Sequence, residues 1–396
     1  MEITHSHQIN MYDDLLKKLD DRYVLKKLEE MIRIPSIVRE ERDLAYYLQS
    51  ELDRLGYKTE LQEVQPGRPN IYAKLMGKNK GKRLNFCGHT DTIPVVEGWI
   101  TDPFEPVKKG KRLHGLGSND MKAGIACTLN VLKAFSDSSY PFKGELSFAG
   151  VIDEEAYGEG AKAMIKTDYG KVDAVILGEP RTGQGEGATH LGITGKVLYD
   201  IYVHGKAAHG FDPEEGINAI EEAGIILANL QHLKFKKHAK FGQGNYSTLK
   251  IEGGYNIYSV VVPASCRFEV NRLLVPGETV EYATKDMERL VKSLKLKSKV
   301  EVKTKPPLYA SYELKRTDPL VKIFDEAYLE VFGIAPEYSY SKSITDANTI
   351  TGEGGIPCIH LGPKPGGTHQ RNEYVELDWL PKVSKAYALI ATKFLY

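Results

Sequence analysis

The side chains best suited to chemistry are a pair of histidines and a set of acids spread over five short segments. His89 and Asp91 stand in Asn85-Phe-Cys-Gly-His89-Thr-Asp91, directly after an apolar run. A two-residue step in extended backbone sends both side chains to one face. One can then bind a metal while the other accepts the ring's second N–H, although loop backbone could satisfy the same pair. Asp120, in Gly117-Ser-Asn-Asp120-Met-Lys-Ala-Gly124, precedes a helical pattern, where an acid is also a favoured N-cap. Asp153, Glu154 and Glu155 close another apolar run. Converging like charges are costly in an apolar setting unless a cation or water relieves them. Glu179 is held extended by Pro180. His369 lies in the Gly- and Pro-rich loop after Ile356–Leu361.

Together these residues form a mixed nitrogen and oxygen donor set. It suits zinc, cobalt or manganese, and neither calcium nor a thiolate zinc site. Two metals about 3.5–4 Å apart need a bridging group, which a carboxylate such as Asp120 can supply. His89 and Glu179 could complete one ion, and Glu155 and His369 the other, leaving Glu154 as an uncoordinated base. A bridging hydroxide with a general base is equipment for hydrolysing an amide.

The elements that must position these groups alternate between strand and helix. Leu84–Cys87, Leu146–Ile152 and Ala174–Leu177 read as buried strands, separated by helical stretches over Met121–Phe135 and Gly160–Lys166. That alternation predicts an α/β layer with a mostly parallel sheet. Each candidate residue then lies beyond a strand's carboxyl end, where open α/β sheets bind ligands. Further helices are expected over Met11–Arg33 and around Leu44, Leu48, Leu52 and Leu55, the latter ended by Gly56. From Gly195 the pattern changes to strand Lys196–Val203, helix Gly216–Leu233, strands Tyr246–Ile251 and Val260–Leu274, helix Thr279–Leu294 and strand Lys299–Thr304. This βαββαβ order predicts a ferredoxin-like domain over 192–306, with Pro306-Pro307 at its exit. It interrupts a discontinuous α/β catalytic domain made of 1–191 and 307–396.

The 396 residues carry 53 Lys and Arg against 53 Asp and Glu. Such a balance argues against a nucleic-acid or anionic-membrane binder. No apolar run is long enough to span a bilayer, and the start lacks a signal-peptide pattern. The basic stretch Lys78–Arg83 and the glycines at 183 to 187 form no phosphate loop. Cys87, Cys127, Cys266 and Cys358 include no CxxC pair, which fits free thiols and a cytoplasmic location.

In order and spacing, the motifs resemble those of the dinuclear-zinc amidohydrolases and exopeptidases. That family includes acetylornithine deacetylase, succinyl-diaminopimelate desuccinylase, aminoacylase and carboxypeptidase G. The likeness spans most of the chain and rests on His89-x-Asp91, Gly117-x-x-Asp120-Met-Lys, Asp153-Glu154-Glu155, Gly178-Glu179-Pro180, Gly205-Lys-Ala-Ala-His209, Thr345-Asp-Ala, Gly-Ile-Pro357 and His369. It implies one zinc on His89, Asp120 and Glu179, and a second on Asp120, Glu155 and His369. Cobalt or manganese are alternatives. It implies that Asp91 orients His89, that Glu154 is the base and that a cis peptide follows Asp120. The inserted segment resembles a lid and dimerisation domain, which makes a homodimer the expected assembly; Ile217, Ile220, Ile225, Leu227 and Leu230 give its helix surplus apolar surface, which a second copy or packing within the domain could bury equally well. His209 matches a histidine that stabilises the oxyanion, reached from the partner subunit in many members. Arg272 matches an arginine that binds a substrate carboxylate, with a cross-strand ion pair as the competing role.

The departures are Leu116 where arginine is frequent, Asn271 where aspartate is, Asn348 where arginine often follows Thr-Asp-Ala, and Thr368 in place of alanine. None touches an expected ligand. The implied activity is metal-dependent hydrolysis of the amide bond of an N-acyl amino acid, as in a deacetylase or desuccinylase. A dipeptidase or carboxypeptidase shares every metal residue and is the alternative; an inactive binding protein on this fold is a third reading.

Overall fold

The structure is a computed structural model and describes residues 12–138, 140–181 and 188–396. Met11, expected to open the first helix, and the glycines at 183 to 187 lie outside the described residues. The chain divides into two compact units: Met1–Leu191 with Leu314–Ser339 and Thr345–Tyr396, and Gly192–Glu313 with Tyr340–Ile344.

The larger unit is built on a six-stranded, mostly parallel sheet. In spatial order its strands are Lys58–Gln65, Arg68–Met76, Lys143–Val151, Asn79–His89, Ala174–Leu177 and Cys358–His360. The last four pair in parallel. The first two add an antiparallel edge. Leu84, Phe86, Leu146, Phe148 and Val175–Leu177 are wholly buried. Helices such as Arg42–Arg54, Lys122–Asp137 and Trp379–Phe394 accompany the sheet in this unit. Burying each large apolar side chain contributes roughly 1.5–3 kcal/mol, which is why these strands read as unbroken apolar runs.

One close approach fixes the start of the helix that follows Asp120. A Cβ on Gly124 would stand 2.1 Å from the Gly178 carbonyl oxygen, so the helix meets the strand end beside Glu179 only because position 124 is glycine. A second, three-stranded sheet ties Tyr374–Glu376 to Arg112–His114, which in turn pairs with Val107–Lys109. The expected first helix is broken. Residues 12–17 and Asp21–Ile32 are separate helices, because Asp20 leaves helical geometry and its Oδ1 caps the N–H groups of Arg22 and Tyr23.

In the smaller unit an antiparallel sheet orders Tyr246–Gly253, Ser265–Leu274, Gly195–His204 and Lys299–Tyr309. Burial alternates along the central strands. Val197, Tyr199, Ile201 and Val203 form a core with Ala219, Ala223 and Ile226 of helix Ala219–Asn229 and with Ala283 and Met287 of helix Val280–Ser293. Charges tie the strands together: Arg267 and Lys305 both pair with Asp200 and Glu269. The last strand runs through Pro306-Pro307 to Tyr309 with a register shift, and does not end at Thr304. It lies at the sheet edge, where proline costs no ladder bond. The unit accordingly extends to Glu313.

Candidate metal centre

The parallel strands share one direction, so the residues that follow them gather at one edge of the sheet. Strand Asn79–His89 ends on His89 itself. Glu154 and Glu155 follow Lys143–Val151, Glu179 follows Ala174–Leu177, and the loop to His369 follows Cys358–His360.

The buried His89 ring places Nε2 3.0 Å from Asp120 Oδ1 and 3.5 Å from Glu179 Oε1. On the other side of Asp120, Oδ2 lies 3.3 Å from His369 Nε2, which is also 2.9 Å from the Glu155 carboxylate. The two Asp120 oxygens are therefore divided between two histidines. Donor atoms of His89, Asp120 and Glu155 lie within 4.8 Å of one another, as do those of His89, Glu154 and Glu179.

The acceptor chemistry tests whether cations fit here. His89 Nδ1 is 2.9 Å from the Asp91 carbonyl oxygen. A carbonyl only accepts, so Nδ1 carries a proton and a neutral ring turns its Nε2 lone pair toward Asp120. Acceptors facing each other at that range need a proton or a metal cation between them. Glu179 Oε1 is buried with no hydrogen-bond partner among the described residues. Burial works to depress the His89 pKa, but the Glu179, Asp120 and Glu154 carboxylates outweigh it and hold the ring well above its ordinary value. Burial, reinforced by neighbouring carboxylates, pushes Glu154 and Glu179 well above the usual range. Burial also moves Asp91 and Asp346 up to about 7. Hydrogen bonds to Asp120 and Glu155 hold His369 up to about 10. Divalent cations relieve all of these at once.

The three consecutive acids do separate jobs. Asp153 takes a left-handed backbone, φ 70°, and its carboxylate pairs with Arg68 at 2.7 Å; Arg68 also binds the buried Glu41. Glu154 and Glu155 are the acids left for the cluster. Asp91 differs from expectation. Its carboxylate is 3.7 Å from His89 Nδ1 and instead accepts the backbone N–H groups of Glu154 at 3.2 Å and Glu155 at 2.9 Å. The Asp91 main chain, and not its side chain, braces the ring. Nor does Asp120 cap a helix: Met121 holds the N-cap position of Lys122–Asp137, with no side-chain capping bond. The Asp120–Met121 peptide is cis.

Glu373 and Asp346 are buried acids to which the sequence reading gave no role. Glu373 accepts backbone N–H groups from the Asp120 loop. Its only signal is an acid in the same loop as His369. Asp346 falls in Thr345-Asp-Ala, and Asp346 Oδ2 has no hydrogen-bond partner among the described residues.

His209 and Arg272 belong to the smaller unit. His209 is in a loop with its side chain 60% exposed, and its Nδ1 accepts the Phe211 N–H at 3.3 Å. The expectation for Arg272 is corrected. Its side chain is 0% exposed, 2.9 Å from Asp286 and 3.3 Å from Glu278, donates to the Lys234 carbonyl and lies over the Phe235 ring. On this alternating strand Arg272 shares the inward face with Val270 and Leu274. Its charge is consumed inside the unit and is not presented to a substrate.

A mostly parallel α/β sheet with two histidines and several carboxylates at its strand ends defines the class of the dinuclear metal-dependent amidohydrolases. Residues 86–393 match the sequence model of Peptidase family M20/M25/M40, and the chain belongs to that family. The succinyl-diaminopimelate desuccinylase of Rickettsia akari (strain Hartford) is 28% identical over 381 residues, 93% of this chain and 99% of that protein. A tripeptidase from Staphylococcus aureus has a similar crystal structure, with TM-score 0.77 at 21% identity over 95% of this chain and 99% of that one. A dinuclear metal binding peptidase of the M20 family from Bacillus subtilis gives 0.71 at 17% identity over 95% and 98%. The chain is thus a metal-dependent amidohydrolase, and its cluster offers donors that could hold two divalent metal ions. No helix among the described residues is long and apolar enough to cross a membrane.

Proposed function

We propose that this enzyme hydrolyses the amide bond of an N-acyl amino acid. His89, Asp120 and Glu179 hold one zinc ion, and Asp120, Glu155 and His369 hold the other. The observation that carries this reading is the division of the Asp120 oxygens between His89 and His369. Bound there, the ions supply Lewis acidity, which polarises a carbonyl and acidifies water. Glu154 is not needed as a ligand in this arrangement. Its carboxylate accepts the attacking water's proton and delivers it to the leaving amine. A pKa raised by burial and by Glu179 suits such a shuttle. Asp91 holds Glu154 and Glu155 in place through their backbone N–H groups.

The smaller unit, with its βαββαβ order, is the lid and dimerisation domain of this proposal. The edge strand Tyr246–Gly253 exposes Leu249 by 57% and Ile251 by 50%. An unpaired apolar edge favours addition of a second copy. His209 supplies an N–H to the oxyanion. Four free, buried cysteines agree with a reducing, cytoplasmic setting.

The test is a hydrolysis screen of N-acetyl and N-succinyl amino acids against dipeptides, with zinc, cobalt and manganese supplied separately. Turnover of an N-acyl amino acid with zinc supports the proposal. Cleavage of dipeptides alone moves the assignment to a dipeptidase or carboxypeptidase with the same residues.

A further inference from the structure

The loops carrying Asp120 and His369 hold each other through the neighbours of those two residues. Glu373 is buried, and its Oε1 accepts the N–H groups of Asn119 at 2.7 Å and Asp120 at 2.9 Å. Its Oε2 accepts the Gly117 N–H at 2.9 Å. The reverse contacts come from Asn119, also fully buried. Its Nδ2 donates to the Lys364 carbonyl at 2.8 Å, and its Oδ1 accepts from Gly366 N at 3.3 Å and Thr368 Oγ1 at 3.0 Å. One acid in the His369 loop thus fixes the Asp120 backbone, while one amide in the Asp120 loop fixes the residue before His369.

His369 needs such support. Its φ of 59° lies in the left-handed region, which costs a non-glycine residue about 1 kcal/mol or more and persists only when its surroundings enforce it. The pairing of Tyr374–Glu376 with Arg112–His114 ties the bases of the two loops. The Asn119 and Glu373 bonds tie them next to the donors. His89 and Glu179, by contrast, are placed by the strands they end or follow. Loosening the Asn119 bonds therefore shifts His369, loosening the Glu373 bonds shifts Asp120, which both ion sites share, and His89 and Glu179 stay where they are.

We propose that Asn119 and Glu373 are reciprocal positioning residues that set the separation of Asp120 and His369, and so the affinity of the ion site formed with Glu155. This inference rests on the two-ion reading of the cluster. Partners of this kind change metal affinity by about 10- to 100-fold when removed.

The experiment titrates the metal-free full chain with cobalt, followed by visible absorption and calorimetry, for the wild type, Asn119→Ala, Thr368→Val and Glu373→Gln. Two binding steps are expected in the wild type. Asn119→Ala, which frees the His369 loop, should keep one step near its wild-type affinity and weaken the other by about 10- to 100-fold, whereas Glu373→Gln, which frees the shared Asp120, should weaken both. Thr368→Val, which removes a single donor to Asn119, should fall between the wild type and Asn119→Ala. Should Glu373→Gln not fold, Asn119→Ala and Thr368→Val decide the question. Two wild-type steps in every folded variant overturn the clamp, as does equal weakening of both steps in Asn119→Ala or Thr368→Val. A wild type that binds fewer than two ions overturns the two-ion reading itself.

Discussion

Asp91 Oδ2 accepts the backbone N–H of Glu155 at 2.9 Å, so the acid expected to brace a histidine ring instead holds the acidic turn. The consequence is measurable. Asp91→Ala leaves the part-buried Glu154 and Glu155 N–H groups without their acceptor, at up to about 1–3 kcal/mol for each. Asp91→Asn keeps one acceptor oxygen and should lose less. Both variants should retain metal, because the His89 Nδ1 bond goes to a main-chain oxygen that survives the substitution. Denaturant melts, metal content and kcat measured together check this. Metal loss in Asp91→Asn would return the side chain to the role of orienting His89.

Glu154→Gln removes the proton acceptor and keeps the shape. Turnover should fall roughly 100- to 10,000-fold, the usual worth of a positioned general base. Metal content, read by elemental analysis, should stay at the wild-type level because the proposed ligands are intact. Near-normal kcat would remove the base assignment.

Arg272→Ala should unfold the smaller unit before it affects substrate binding. Glu278 would be left buried with its charge unpaired and Asp286 with only Arg289 at 3.5 Å, a loss of up to about 3–5 kcal/mol. A lowered Tm with unchanged KM in the folded fraction is the expected pair of results. A raised KM at unchanged Tm would restore the substrate-carboxylate role.

Arg272 also marks where the sequence stops being legible. Strand periodicity is two, so a one-residue difference in register decides whether an arginine faces helices or substrate, and motif spacing alone left that parity open. The parallel strands of the larger unit were readable because both faces are buried, which turns them into apolar runs. Strand Arg68–Met76 was not, because Arg68 and Asn70 are buried through ion pairs and hydrogen bonds and so break the apolar pattern. The strand-end donors could be found from their position after such runs. Glu373 could not, since an acid in a polar loop has no period, and its burial exists only once two distant loops meet.

His209→Ala tests the proposed role of the smaller unit. Removing one oxyanion donor costs roughly 100- to 1000-fold in kcat with little change in KM. Steady-state kinetics separate the outcomes. A rise in KM alone would make His209 a binding residue, and no change in either constant would leave it a loop histidine.

The stability of the metal-free protein should fall as pH rises. Burial raises Asp91 and Asp346 from an ordinary 3.8 to about 7, and Glu373 from 4.5 to about 8. Over that window the folded chain binds more protons than the unfolded one, and stability then decreases with pH. His369 acts in the same direction. Its pKa is raised from 6.5 to about 10, so the stability it contributes is complete below 6.5 and lost as pH climbs through 10. Its side chain is about half exposed, and solvent screening makes that share small. Bound metal requires deprotonated ligands, and its charge favours the ionised form of the carboxyls nearby, so saturation should flatten or reverse the profile. Thermal melts from pH 4 to pH 9, with chelator and then with excess zinc, measure both curves. If the chelated protein gained stability with rising pH, the buried carboxylates would have to be ionised without cations, and the electrostatic case for the metal centre would fail.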